Sequence, residues 1–215
     1  MSNIDLNKNV ISLSKGERIS LSKMPSIDLS KGGKGLRNVV VGLGWDPAMI
    51  EKKGLFGGVK RVPGPSVDCD AFAMVLNNGK IKNKDDVVYF GHLKHSTGYI
   101  WHTGDNLTGD GDGDDEQIVI NLEKINCDSI VVAVNIYNGR SKGQHFGMLE
   151  NAFIRIVDKD TNMELCRFTL DNKYDNAVTV IFGELICTNG SWDFVAKGEA
   201  IDKDSISAVA NVYGY

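Results

Sequence analysis

With 215 residues, 42% of them hydrophobic and 24% charged, the chain has the composition of a globular protein. It is long enough for one large domain or two small ones. No apolar run approaches the roughly 20 residues that a membrane-spanning helix needs, and the N-terminus lacks the apolar core of a signal peptide. These features predict a cytoplasmic protein without membrane insertion.

The charge is unevenly distributed along the chain. Residues 1–61 contain eleven Lys or Arg against five Asp or Glu, whereas the formal net charge of the whole chain is −4. A basic excess of this size is more typical of a solvated surface than of a nucleic-acid site. We therefore expect no nucleic-acid partner.

From residue 38 onward, short runs rich in Val, Ile, Phe and Tyr end at turn-forming residues and predict strands. In chain order the runs are NVVVGLGWD, VDCDAFAMVL, DDVVYFG, QIVINLEKI, SIVVAVNIYN, AFIRIVD, LCRFTL, AVTVIFGEL and SWDFVAKGEA. Residues 129–137 are apolar nearly throughout, which is typical of a central strand covered on both faces. Residues 141–152 are expected to hold a short helical turn. The pattern predicts an all-β fold, a two-sheet β-sandwich with short helical turns and long acidic loops.

Residues 102–116, HTGDNLTGDGDGDDE, hold the most unusual composition in the chain. The six carboxylates of this segment carry more negative charge than the whole molecule, so the remainder of the chain is at +2. Two carboxylates about 5 Å apart repel by roughly 3 kcal/mol at an effective dielectric constant near 20, so an ordered loop needs solvent or a cation between them. Alternating glycines let successive side chains converge on one point. Carboxylate, amide and carbonyl oxygens favour Ca²⁺ over Zn²⁺, with Mg²⁺ as an alternative and a solvated loop tip as another.

An EF-hand does not explain the acidic segment. Counted from Asp110, an EF-hand would need Gly at the sixth position and Glu at the twelfth, but Asp115 and Asn121 stand there. The segment also leads into a predicted strand. A cation bound here would therefore lie at the end of a β-sandwich.

A second acidic pair has the spacing of a strand. Asp68 and Asp70 flank Cys69, so both carboxylates are predicted on one side of the strand, with the thiol turned inward. Together with Asp46, which ends an earlier strand, they are candidates to complete the cation site. Turn capping is the alternative role for Asp68 and Asp70.

Zinc and thiol chemistry have little support. His92 and His95 are three residues apart, a spacing that would place them on opposite faces of a strand, and His102 follows seven residues later. The chain contains no CxxC pair, so its four cysteines are predicted to be buried, reduced thiols: Cys69, Cys127, Cys166 and Cys187. Neither a zinc site nor a thiol redox site is expected from these residues.

The motifs VVVGLGWD, SVDCDAFAMVL, HTGDNLTGDGDGDDEQIVINLEKI, VAVNIY, FGMLENAFIRIVD and IFGEL, in this order, resemble the TerD family of tellurium-resistance and stress-response proteins. The resemblance implies one TerD-like domain over residues 1–215, with a core at about 10–200 flanked by an N-terminal extension and a C-terminal tail. It also implies a β-sandwich that binds Ca²⁺, with more than one ion expected. The metal ligands carried over by position are Asp46, Asp68, Asp70, Asp105, Asn106, Asp110, Asp112, Asp114, Asp115 and Glu116.

The chain departs from the family pattern in three places. MPSIDLSKGGKGLRN adds length near the N-terminus, EKKGLFGGVKRVPGPS lengthens the connection before Asp68, and Asp110 stands where Glu is frequent. The second departure could change the rim of the metal site.

Among the candidate residues, the largest contributions to cation binding are expected from Asp105, Asp112, Asp114 and Glu116. His102 is expected to contribute little.

The resemblance implies a non-enzymatic, Ca²⁺-dependent interaction module for tellurite resistance and general stress response. Its expected partners are other proteins of a stress or metal-resistance system. The alternative is a metal-dependent hydrolase or transferase whose acidic loop holds a catalytic divalent ion, with His102 or His145 as the base.

Overall fold

The computed structural model describes residues 11–12, 16, 18–20, 36–53, 58–104, 113–170, 174 and 176–215. Within these residues the chain forms two six-stranded sheets and one two-stranded sheet. In chain order the strands are β1 (Ile11–Ser12), β2 (Arg18–Ser20), β3 (Asn38–Pro47), β4 (Met49–Lys53), β5 (Val59–Pro63), β6 (Cys69–Leu76), β7 (Val87–Val88), β8 (Ile100–His102), β9 (Glu116–Asn121), β10 (Ser129–Ile136), β11 (Leu149–Asp158), β12 (Met163–Thr169), β13 (Thr179–Thr188) and β14 (Ser191–Ala200).

Two packed sheets make up the sandwich. Sheet 1 has the order β1-β12-β11-β3-β9-β8, and sheet 2 has the order β2-β14-β13-β10-β6-β7. Apart from the parallel pair β1 and β12, the pairings within both sheets are antiparallel. The main core lies between the sheets, because alternate residues such as Val41 and Leu43 of sheet 1 and Phe182 and Phe194 of sheet 2 are buried there together.

The outer face of sheet 2 is also covered. Helix α2 (Ile206–Ala210) buries Val209 against a second cluster that includes Phe72 and Met74 of β6. Ser205 caps this helix by accepting a hydrogen bond from the Ala208 amide. Strand β10, which lies between β6 and β13, is therefore buried on both faces, as its apolar sequence predicts.

The β-sandwich prediction is confirmed. The helical turn expected at residues 141–152 is present as the 3-10 helix Phe146–Met148, preceded by helix α1 (Gly139–Lys142). The hairpin of β4 and β5 and the helix α2 were not predicted. The hairpin was not predicted because β4 is exposed at every residue and therefore lacks the alternation of apolar and polar residues that indicates a strand.

Candidate functional site

The acidic segment connects two neighbouring strands of sheet 1, β8 and β9. The structure describes this connection up to Gly104 and again from Gly113. Four predicted ligands lie outside the described residues: Asp105, Asn106, Asp110 and Asp112. The remaining six can be placed, and they fall into three environments.

The side chain of Glu116 connects the two sheets through a hydrogen bond. It is the first residue of β9 in sheet 1, and its fully buried carboxylate accepts a 2.6 Å hydrogen bond from the Ala71 amide of β6 in sheet 2. The buried ring of His102 approaches the same carboxylate oxygen, with Nε2 3.4 Å from Oε2 of Glu116. Nδ1 of His102 accepts the amide of Gly104 at 3.1 Å, so Nε2 is the ring nitrogen that faces Glu116. Sequence reasoning gave His102 little weight, and only its position just before the acidic segment could have indicated this contact.

Asp115 attaches the end of the acidic segment to β3. Its Oδ2 accepts the Trp45 amide at 2.9 Å, and its own amide donates to the Leu43 carbonyl at 2.7 Å. The indole of Trp45 donates to the carbonyl of Val67, immediately before Asp68. Trp45 thus links the strand that holds Asp115 to the segment that leads into the second acidic pair.

Four of the predicted ligands act electrostatically on one thiol. Cys69 faces the core between the sheets, as predicted, and its pKa lies well above its ordinary value of 9.0. Burial is the largest cause, and the other causes are the negative charges of Asp70, Glu116, Asp68 and Asp115. The hydrogen bonds from Ala71 to Glu116 and from Trp45 to Val67 place the two acidic stretches predicted from the sequence at the same end of the sandwich.

Asp114 lies apart from this group. It packs on the outer face of sheet 1 over Gly42, where a Cβ atom would lie 2.2–2.4 Å from the carboxylate atoms. Arg155 of β11 donates to it through Nε at 2.7 Å, and Gln117 donates at 3.0 Å. Gly44 gives the same kind of space to the Gly113 carbonyl. The alternation of Gly with large residues in GLGW was a visible signal for this packing, which sequence reasoning missed together with Arg155.

Asp46 has a third environment. Its Oδ2 accepts a 2.8 Å hydrogen bond from the Asn151 side chain, and Asn151 has φ +54° at an irregularity between β3 and β11. Asp46 is not among the carboxylates that raise the pKa of Cys69. Its described contact is therefore with β11 and not with the group around Cys69.

The reasoning that set His92 and His95 on opposite faces of a strand is wrong. Residues 89–98 form turns and single bridges, so both imidazoles reach Asp85, at 3.3 Å for His92 and 3.7 Å for His95. His95 also lies 3.4 Å from Asp86. Asp85 in turn accepts the Ser96 amide through both oxygens, so this cluster joins two loops.

The donor chemistry at the end of the sandwich suits a hard cation, because Asp68, Asp70, Asp115 and Glu116 supply only oxygen. Within the described ranges, however, no set of three or more His, Cys, Asp or Glu side chains is arranged to hold a metal ion. The described carboxylates would thus supply only part of the coordination shell of a bound cation. The other predicted ligands lie in residues 105–112, which are outside the residues that the structure describes.

Three of the four cysteines are buried, as predicted, and Cys187 is the exception. Cys69, Cys127 and Cys166 are buried, Cys187 is half-buried, and all four are free thiols. Burial raises the pKa of Cys127 and of Cys166 to about 12. Three of the four thiols are thus poorly placed to react as thiolates.

The fold and the site define a class: an antiparallel β-sandwich whose two sheets meet around a group of carboxylates at one end. The family model described as the TerD domain matches residues 10–213. The stress response protein SCP2 of Bacillus subtilis (strain 168) is 43% identical over 197 residues, which cover 91% of this chain and 98% of that protein. The tellurium resistance protein TerD of Serratia marcescens is 36% identical over 199 residues, covering 91% of this chain and 97% of that protein. The chain belongs to the TerD family.

A solved structure supports the fold. The crystal structure of a homologue of telluride resistance protein (TerD) from Streptomyces coelicolor A3(2) matches with a TM-score of 0.61 and 21% identity. The match covers 80% of this chain and 95% of that one. Separately, none of the helices in the described residues has the length and apolar character to cross a membrane.

Proposed function

We propose that this chain is a cytoplasmic calcium-binding protein of tellurite resistance and general stress response, acting as a Ca²⁺-dependent interaction module. The observation that carries the proposal is the approach of the two acidic stretches. Glu116 of the acidic segment accepts the amide of Ala71, the residue after Asp70. Trp45, whose amide donates to Asp115, donates its indole N–H to the carbonyl of Val67, the residue before Asp68. The relatives support the biological setting, because they are named as tellurium resistance and stress proteins.

Calcium would act here by joining the two sheets. Asp115 and Glu116 belong to the start of β9 in sheet 1, while Asp68 and Asp70 lie at the start of β6 in sheet 2. A cation bound at this end of the sandwich cancels their mutual repulsion and fixes the acidic segment against both strands. The ordered segment then presents a defined surface to another protein of a stress or metal-resistance system.

Calorimetric titration with Ca²⁺, together with melting curves in Ca²⁺ and in EGTA, tests the proposal. Binding to the folded state adds RT ln(1 + [L]/Kd), roughly 2.7 kcal/mol at a hundredfold excess over Kd. For a chain of this size that corresponds to an increase of about 5–10 °C in Tm. An absence of both heat and Tm shift would refute calcium binding.

A charge-matched pair of variants locates the ion. Glu116→Gln removes a buried carboxylate next to the acidic segment, and Glu123→Gln removes an exposed one beyond the end of β9. We expect Glu116→Gln to weaken calcium binding by about tenfold or more and Glu123→Gln to leave it unchanged. Equal affinity in the two variants would place the ion elsewhere.

The interaction role has its own test. Affinity capture from a stressed-cell lysate, with the protein as bait in Ca²⁺ or in EGTA, should recover a specific partner only in Ca²⁺. The Glu116→Gln protein, used as the control bait in Ca²⁺, should lose that partner. A partner retained equally in EGTA would mean that calcium does not regulate the interaction.

A metal-dependent hydrolase or transferase is the second candidate. The observation that favours it is the buried pair of His102 and Glu116, two groups of the kind that transfer protons in metal-dependent enzymes. A His102→Gln variant separates the two functions: loss of turnover in a substrate screen with calcium affinity retained would favour the enzyme. Turnover absent from the parent protein would favour the module.

A further inference from the structure

A pocket of about 590 Å³ opens on the outer face of sheet 2, away from the core between the sheets. The ends of β6, β7 and β10 form one side, and the segment around helix α2 forms the other. This volume is within the range of sites for small organic ligands. The pocket has no part in the calcium proposal except that Asp70 lines it.

The charge of the pocket favours a cation. Three carboxylates line it, Asp70, Asp85 and Asp204, against one ammonium, that of Lys84. Arg140 lies close by, but its guanidinium pairs with Asp202. The Asp and Lys side chains of the lining therefore carry a net formal charge of −2.

Aromatic rings supply the apolar part of the lining. Tyr89 and Phe90 pack edge to face, with ring centroids 5.3 Å apart and planes at 84°. Phe90 and Tyr137 repeat this arrangement at 6.0 Å and 90°. All three rings line the pocket, and a π face attracts an organic cation.

The chain itself already places a cation on one of these rings. The ammonium of Lys142, in helix α1, lies 5.2 Å from the centroid of Tyr137, within cation–π distance. Both side chains are at the surface, since Tyr137 is 44% exposed and Lys142 is an exposed residue. An incoming cation would compete with Lys142 for this ring.

We propose that this pocket binds an organic cation, a protonated amine or a guanidinium. The carboxylates attract its charge, the Tyr137 and Phe90 rings contact its charged head, and the apolar wall formed by Ile206 and Ala210 packs against its carbon chain. The cation is carried either by a free small molecule or by a Lys or Arg side chain of a partner, and both present the same chemistry to the pocket.

The test is an NMR titration of the ¹⁵N-labelled protein in EGTA, so that calcium binding and cation binding give separate results. The probes are n-butylammonium and n-butylguanidinium, with n-butanol as the uncharged control at the same ionic strength. We expect saturable shifts at the amides of Tyr137, Asn138 and Ser207 with the two cations and none with n-butanol.

A blocked Gly-Arg-Gly peptide distinguishes a partner's side chain from a free small molecule as the source of the cation. Tighter binding of the peptide than of n-butylguanidinium assigns the site to a partner side chain, and weaker binding assigns it to a free cation.

Three variants identify the groups responsible. Tyr137→Leu and Asp204→Asn should each weaken binding by about threefold or more, whereas Asp160→Asn, an exposed aspartate in the turn between β11 and β12, should not. Lys142→Ala should strengthen binding by about twofold, because it frees the Tyr137 ring. The proposal fails if no saturable shift occurs, if n-butanol binds as well as the cations, or if these variants bind n-butylguanidinium as the parent does.

Discussion

At Gly42, a side chain and the carboxylate of Asp114 would occupy the same space. A Cβ atom there would lie 2.2–2.4 Å from the Asp114 carboxylate, which is held by Arg155 and Gln117. We expect Gly42→Ala to displace Asp114 from Arg155 and to lower the free energy of unfolding by about 1–3 kcal/mol. Urea denaturation measures the change.

Gly58→Ala is the matched control, because a Cβ atom at Gly58 meets nothing within 4 Å. Its effect should stay within about 0.5 kcal/mol. If both alanine variants unfold at the same urea concentration, the fit of Asp114 over Gly42 contributes nothing to stability.

The contribution of Glu164, on the outer face of sheet 1, to folding stability should depend on pH. Burial raises the pKa of this carboxyl, but hydrogen bonds from Arg167 at 2.6 and 2.7 Å and from Arg155 at 2.8 Å outweigh it, so the pKa falls below its ordinary value of 4.5. A carboxyl whose pKa is lower in the folded state stabilises the fold above its unfolded pKa. That contribution is lost as the pH falls through the folded pKa.

Glu164→Gln should therefore be less stable than the parent by about 1–3 kcal/mol near pH 7, where the two arginines lose their charged acceptor. The difference should shrink as the pH drops below about 4.5. Urea denaturation at a series of pH values from 3 to 7 measures it. A difference that is the same at every pH would show that packing, and not charge, is responsible.

At the level of residues, spacing and chemistry allowed part of the site to be predicted. Asp68 and Asp70 were predicted to complete the site of the acidic segment because their spacing places both carboxylates on one side of a strand, and the family resemblance joins the same two stretches. The separation of Asp114 onto the other face of sheet 1 was not predictable, since it depends on Arg155, a residue distant in sequence that faces Gly42 across β3 and β11. A local motif carries no information about such a partner.

At the level of elements, strands with strong burial were the predictable ones. Strand β10 is buried at every residue, and its unbroken apolar run shows this. Helix α2 was missed because a five-residue helix has too few turns for a periodic pattern. Its formation depends on the cap at Ser205 and on a hydrophobic surface supplied by β6, both of which need the folded structure.

Helix α2 is expected to stabilise the sandwich through Val209. This side chain is fully buried against the outer cluster that includes Phe72 and Met74, so Val209→Ala should cost about 1–3 kcal/mol of unfolding free energy. Val212, three residues later, is 56% exposed, and Val212→Ala should change stability by less than about 0.5 kcal/mol. Thermal melts of both variants give the comparison, and equal Tm values would mean that α2 does not contribute to the core.

At the scale of the whole molecule, the carboxylates join the two halves of the sandwich. Glu116 of sheet 1 reaches the Ala71 amide of sheet 2, and Trp45 of sheet 1 reaches the Val67 carbonyl beside Asp68. Calcium bound as proposed would add to these contacts at the same end. Opening of this end would then require loss of the ion, so the ion should control how often the two sheets separate there.

Cys69 makes that opening measurable, because its thiol lies in the core at the carboxylate end and its pKa is raised by burial and by four carboxylates. A thiol reagent should label half-buried Cys187 first and reach Cys69 only after the sheets separate. If the proposed ion binds at this end, saturating Ca²⁺ should slow Cys69 labelling relative to EGTA by up to about a hundredfold at a hundredfold excess over Kd. Mass spectrometry of the labelled peptides follows each cysteine separately. Cys166, which is buried at the middle of the β11–β12 pairing, is the internal control. If calcium slows labelling at Cys69 alone, its effect is local to this end, whereas equal slowing at Cys69 and Cys166 indicates global stabilisation. An unchanged labelling rate at Cys69 would contradict calcium binding at this end.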